Sequence, residues 1–170
     1  LDRLIKKCIN KSLHVKSDLS IGIKNSDAIF VCVGTPMLDD GRIDLTHIAN
    51  VSEELALSLK DLQKNVLVVV KSTVVPGTTE KLFKKSLKAC MDEQDFAKVL
   101  FGMNPEFLRE GTAVEDTFNP DRIILGADCE KSAQILNQIY SFVSKDVPRF
   151  NTNIQTAELS KYASNTFFAT

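Results

Sequence analysis

Five aliphatic residues in a row, Val66-Leu67-Val68-Val69-Val70, constrain the fold of this chain more than any other stretch. A strand with no polar alternation is covered on both faces, which favours a parallel sheet between layers of helix. Ala28-Ile29-Phe30-Val31-Cys32-Val33 is a second such run, and Val99-Leu100-Phe101-Gly102-Met103 a third. Between the first two strands, Ile48, Val51, Leu55 and Leu59 recur at helical spacing, with Asp44 or Thr46 placed to cap the helix. From Thr78 or Thr79 to about Met91, Leu82, Phe83 and Leu87 mark another helix. Further along come a short helix around Thr112–Asp116, a strand Arg122–Gly126, a helix Glu130–Val143 and an extended piece at Pro148–Phe150. Thr152-Asn153-Ile154-Gln155 has capping-box spacing and opens a last helix through Thr170. Ahead of all this, residues 1–10 read as the tail of a helix with Leu1, Leu4, Ile5 and Cys8 on one stripe. Ser12–Val15 reads as a very short strand, and Asp18 caps a short helix ending at Ile23. Strand alternating with helix predicts an α/β domain with a doubly wound parallel sheet.

Composition narrows the partners. With 21 basic against 22 acidic residues and no basic block, the chain lacks the charge pattern of a nucleic-acid binder. No apolar run reaches the length of a membrane span, so no membrane partner is expected. Cys8, Cys32, Cys90 and Cys129 form no Cys-x-x-Cys pair and read as free, mostly buried thiols of a reducing, cytoplasmic compartment. His14 and His47 stand alone, and no metal site is expected.

The polar residues concentrate where three strands end. Gly34-Thr35-Pro36, Lys71-Ser72-Thr73 and Asn104-Pro105-Glu106-Phe107-Leu108-Arg109-Glu110-Gly111 each follow a strong strand. In a parallel sheet those ends share one edge, where ligands bind, so the three loops converge on one cleft. Asn-Pro stiffens the backbone that presents Glu106. An ordinary loop-to-helix cap with Glu110 solvated accounts for the same spacing. Lys161 and Asn165 form an i, i+4 pair on the last helix, on the face of Ala157.

Lys71 through Gly77, Asn104 through Gly111, and Ala157 through Asn165 occur in the order and spacing of the nucleotide-sugar 6-dehydrogenases. The chain resembles the UDP-glucose 6-dehydrogenase family most, more weakly before Asp27. Gly34-Thr35-Pro36 fits that family's cofactor-side loop, and Pro120 through Gly126 fits the strand after the glutamate motif. The glutamate motif and the Asn119-Pro120-Asp121-Arg122 run look more like the UDP-glucose branch than the GDP-mannose branch.

The resemblance implies a Rossmann-like fold and oxidation of a sugar C6 alcohol to a carboxylate, with two NAD molecules and a cysteine thioester. It implies a place in polysaccharide biosynthesis and a homo-oligomer at full length. Glu106 matches the base for the water that hydrolyses the thioester, and Thr73 the residue that holds that water. Lys161 and Asn165 match the pair that binds the sugar and compensates oxyanion charge, a task suited to a cation and an amide. Phe107, Leu108 and Arg109 match a nucleotide-sugar-contacting segment, and Glu110 a residue on the nicotinamide side of the cleft that also borders the substrate. Gly34, Thr35, Pro36 and Ser72 match cofactor contacts.

Two departures qualify the match. No Gly-x-Gly-x-x-Gly occurs in the sequence, and roughly 60 residues, about two βα units, are expected ahead of Leu1. None of the four cysteines aligns with the family's nucleophile. The expected organisation is a partial dinucleotide-binding domain over 1–150, with its first two strands outside the chain. Residues 151–170 would begin a central helix leading to a substrate and dimer domain. Such a chain alone is expected to be inactive. A non-catalytic nucleotide-sugar-binding module and a fragment that pairs through its open sheet edge are the alternatives.

Overall fold

The computed structural model describes residues 1–23 and 25–169. Two short helices, α1 (Asp2–Cys8) and α2 (Leu19–Ile23), precede strand β1 (Ala28–Val31). Helix α3 (Thr46–Ser58) leads to β2 (Val66–Val70). A π-helical turn at Thr79–Phe83 then runs directly into α4 (Lys84–Cys90). Next come α5 (Glu93–Phe96), β3 (Val99–Met103), α6 (Ala113–Phe118) and β4 (Ile123–Ala127). Helix α7 (Glu130–Ile139) tightens into a 3-10 turn at Tyr140–Phe142, and β5 (Arg149–Thr152) precedes α8 (Ile154–Ala169).

The five strands form one sheet in sequence order, with β1, β2 and β3 parallel. All of Val66–Val70 is buried, as a strand covered on both faces requires. On one face, Val68, Val70, Phe101 and Met103 meet Ile48, Leu55, Phe83, Leu87, Ile154 and Ala157 from α3, the α4 segment and α8. On the other, Leu67, Val69, Ile123 and Leu125 pack against Leu136 and Val143, from α7 and the segment after it. Phe30 and Ala28 are only partly buried there.

Several expectations need correction. The sheet is not wholly parallel: β4 runs antiparallel to β3, and β5 lies parallel to β4. The segment after β3 carries only the six-residue α6 and does not cross back over the sheet. β4 therefore starts from the edge where β3 ends. Strand β1 stops at Val31 instead of Val33, because the amides of Lys71 and Ser72 both donate to Val31 O and close the ladder. Ser12–Val15 is no strand; a single bridge joins Ile9 to Leu13, and Val15 is exposed. The Leu1, Leu4, Ile5 stripe of α1 is exposed, since no described element packs over it. Thr152 lies in the β5 ladder opposite Gly126, so α8 is capped by Asn153, whose Oδ1 accepts the Thr156 amide at 2.8 Å. Thr170, the expected end of α8, lies outside the described residues. Cys32, Cys90 and Cys129 are exposed and Cys8 half-buried, because they fall at element ends and outer faces rather than in the core.

Candidate active site

The parallel order of β1, β2 and β3 brings Gly34–Pro36, Lys71–Thr73 and Asn104–Glu110 to one sheet edge. The first two loops are joined directly, the Thr35 hydroxyl donating to Thr73 O at 2.8 Å and the Ser72 hydroxyl to Val33 O at 2.6 Å. The Ser72 side chain is thus engaged in holding the loops, and Pro36 is exposed. A Cβ on Gly34 would meet nothing within 4 Å, so the backbone there faces open space.

Helix α8 is brought to the same edge by close packing at Gly126. A Cβ there would lie 2.7 Å from Ala157 Cβ and 3.0 Å from both Asn153 O and Ile154 Cα. Glu158, one residue further on and 0 % exposed, fixes the helix to the β2–α4 turn. Its two carboxylate oxygens accept the amides of Gly77 at 2.5 Å and Thr79 at 2.8 Å. Gly77 has φ +93°, a conformation that favours glycine. A carboxylate on the first amides of a helical segment satisfies donors that have no partner within it.

So placed, α8 turns Lys161 inward, 8 % exposed, and its Nζ lies 3.3 Å from Glu106 Oε1. The other Glu106 oxygen accepts the Leu108 amide at 2.6 Å. The Phe107 ring is flanked by two cations, Lys161 Nζ at 5.1 Å and the Arg122 guanidinium at 4.3 Å from its centroid. Arg122 also reaches the Ser164 hydroxyl at 3.4 Å. A buried ammonium is stable when paired, and Lys161 has both the Glu106 carboxylate and the Phe107 ring beside it.

The expected residues do not all converge. Glu106, Lys161 and Phe107 meet directly, and Thr35 and Thr73 meet through the loop bond. Asn165 lies exposed one turn beyond Lys161, and Glu110 is exposed. The Arg109 side chain turns back on its own loop, forming a two-pronged pair with Asp116 at 2.5 and 3.2 Å. Those bonds hold the Asp116 carboxyl far below the usual carboxylate range. The backbone here is also engaged within the loop, the Leu108 amide donating to Glu106 and the Arg109 amide to Asp116 at 2.9 Å.

The sequence reading passed over Lys71, Tyr140, Arg122 and Glu158 as individual site residues. Lys71 is half-buried, with Nζ 2.8 Å from Asn104 Oδ1 and 3.4 Å from Tyr140 Oη. Tyr140 Oη in turn donates to Asn104 Oδ1. Burial pushes the Lys71 ammonium below its ordinary value, against the pull of Cys32 and Glu106. Burial lifts the Tyr140 phenol to about 12. A charged residue abutting five buried ones was the available signal for Lys71; Tyr140 gave none.

A mostly parallel α/β sheet with a half-buried ion pair at the carboxyl ends of its parallel strands has the arrangement of a nucleotide-binding domain. The chain belongs to the UDP-glucose/GDP-mannose dehydrogenase family, whose NAD-binding-domain model matches residues 1–144. It is 42 % identical over its whole length to an uncharacterized protein of Methanocaldococcus jannaschii, of which it spans 18 %. It is 37 % identical to the UDP-glucose 6-dehydrogenase of Rickettsia typhi, covering 100 % of this chain and 38 % of that one. The structure of a UDP-glucose dehydrogenase from Pyrobaculum islandicum superposes with TM-score 0.83 at 36 % identity, over 99 % of this chain and 37 % of that one. The chain thus spans well under half the length of these relatives.

NAD is the cofactor of the family domain. The residues here fit it in part: the open backbone at Gly34, the half-buried Thr35 and the exposed Pro36 offer a surface along the cleft. No glycine-rich turn for the pyrophosphate occurs in the sequence. Among the described residues no cluster of His, Cys, Asp and Glu could hold a metal ion, and no helix is long and apolar enough to cross a membrane.

Proposed function

We propose that this chain supplies half the active site of an NAD-dependent dehydrogenase that oxidises the C6 alcohol of a nucleotide sugar, UDP-glucose to UDP-glucuronate. The observation that carries this is the Lys161–Glu106 pair, a buried lysine 3.3 Å from a half-buried glutamate, at the sheet edge where the cofactor-side loop also lies. NAD, when bound, accepts hydride. Gly34, Thr35, Pro36 and Ser72 would border it, with Glu110 at the nicotinamide side and against the substrate. Phe107, Leu108 and Arg109 would line the nucleotide sugar through their backbone. Lys161 and Asn165 would bind the sugar and offset charge on the C6 oxygen, worth most where water is excluded. A cysteine elsewhere in the protein would hold the substrate as a thioester. Glu106 would then take a proton from water positioned by Thr73. The water oxygen bonds to the acyl carbon, the C–S bond breaks, and the thiolate leaves with the electron pair. The same reading divides the chain into a partial dinucleotide-binding domain, 1–150, and the start of a helix, 151–170, towards a substrate and dimer domain. It places the enzyme in the cytoplasm, in polysaccharide biosynthesis, as a homo-oligomer.

The test uses the full-length protein that carries this chain. NADH formation should follow UDP-glucose and not GDP-mannose. Glu106→Gln should let a covalent adduct accumulate, visible by intact mass, and Lys161→Ala should lower kcat more than it raises KM. The 170-residue chain alone should form no NADH. Wild-type turnover by both variants would refute these roles. A second reading has one observation in its favour: among the described residues β1 pairs with β2 alone, which leaves an edge for chain pairing.

A further inference from the structure

Asn104 is bound on every side. Its amide N–H donates to Val70 O at 3.0 Å and its Nδ2 to Ile124 O at 2.9 Å. Its Oδ1 receives both Lys71 Nζ and Tyr140 Oη. The residue is 2 % exposed, so these bonds have no water to replace them and each matters more than at a surface. The next two residues are Pro105, whose ring restricts the backbone, and Glu106. Asn104 thereby ties the segment bearing Glu106 to the end of β2, to β4 and to the turn after α7. The carbonyl it uses for this accepts from a cation and a phenol, and the phenol oxygen accepts from the same cation.

Lys71 is the charged member of that set. An ammonium has three donors; Asn104 and Tyr140 take two, and no acceptor for the third is found among the described residues. Lys71, Asn104, Glu106, Arg122 and Tyr140 line a common cavity of about 90 Å³, room for about three waters at ~30 Å³ each. The lysine is therefore placed to influence Glu106 in two ways, by fixing its backbone and by lining the same small cavity.

We propose that Lys71 is a positioning residue for the hydrolytic step, acting through Asn104 and Tyr140 to hold Glu106 against Lys161. This rests on the dehydrogenase reading above. Losing a neutral hydrogen bond of about 0.5–1.5 kcal/mol corresponds to about two- to tenfold, and a charged one to about ten- to a hundredfold.

The test compares Lys71→Met, Lys71→Arg and Tyr140→Phe in the full-length protein. Tyr140→Phe keeps the ring and removes one hydroxyl, so it carries the test if Lys71→Met does not fold. Expected are kcat losses of about thirtyfold for Lys71→Met and about threefold for Tyr140→Phe, with KM within about twofold. Lys71→Arg should recover most of the loss. Lys71→Met and Tyr140→Phe should also accumulate the adduct predicted for Glu106→Gln, in smaller amount, because hydrolysis is the step slowed. A purely structural network would lower Tm with kcat per folded molecule unchanged and no adduct, and that result overturns the proposal. So does a rise in KM at constant kcat, which would make Lys71 a binding residue. Wild-type protein that forms no NADH overturns the dehydrogenase reading itself, and this inference with it, before any variant is compared.

Discussion

Replacing Glu158 by glutamine changes one oxygen to an amide nitrogen in a site with no solvent. The carboxylate accepts from two backbone amides, Gly77 and Thr79, and the residue is 0 % exposed. A glutamine has one acceptor oxygen, so one buried N–H is left facing another donor. An unsatisfied buried donor costs about 1–3 kcal/mol, and exchanging a charged bond for a neutral one adds about 1. The expected loss is about 3 kcal/mol, a Tm decrease of about 6–12 °C for a domain of this size. Glu158→Ala should cost about 4 kcal/mol, since both donors lose their partner and a cavity remains. Urea unfolding should show a lower midpoint with an unchanged slope. Leu159→Ala, at an exposed neighbour, should stay within about 0.5 kcal/mol of the parent. If Glu158→Gln also falls within that margin, the carboxylate does not hold α8 to the β2–α4 turn and the account of how Lys161 is placed fails.

Gly126→Ala should cost about 1–3 kcal/mol, because the nearest atoms include the backbone of α8, Asn153 O and Ile154 Cα at 3.0 Å; Gly34→Ala, which meets nothing, should leave thermal stability unchanged by calorimetry. Tyr140, with its phenol lifted from 10.0 to about 12, contributes stability that is present below pH 10 and lost as pH rises through 12, since the unfolded phenol ionises first. Tyr140→Phe should flatten that part of the pH–stability curve measured by urea unfolding, and an unaltered slope would count against the burial. The unpaired edge of β1 should make the isolated chain self-associate, read as a rising mass by light scattering with concentration; a monomer throughout would mean that the edge is covered.

Much of this was legible in the residues. Val66–Val70 announces a strand covered on both faces because nothing polar interrupts it, and all five residues are buried. Glu106 and Lys161 could be named from local motifs, one following a strand and the other on a helix. Their partnership could not, because it depends on how α8 lies over Gly126, 55 residues of chain separating the pair. The Lys71–Tyr140 contact spans 69 residues and has no periodic signature. The reversal of β4 was hidden for a different reason. An apolar run states burial and not direction, so Arg122–Gly126 reads alike whichever way it points. The π-helical turn at Thr79–Phe83 was equally silent; it places Thr79 and Phe83 in the interior through one widened turn that composition does not mark.

That reversal has a bearing on how such a site could change over time. β3 and β4 meet side by side at Met103 and Gly126, so the chain from 104 to 122 leaves the sheet and returns to it at nearly the same place. A loop with anchored ends can grow cheaply, because doubling its length adds only about 0.6 kcal/mol of closure entropy. A helical crossover has no such freedom, since its length is tied to the width of the sheet it spans. The segment carrying Glu106 is therefore the part of the domain where residues can be gained or lost while Val66–Val70 and its neighbours stay in register. Length and side chains can vary there without the scaffold having to be rebuilt.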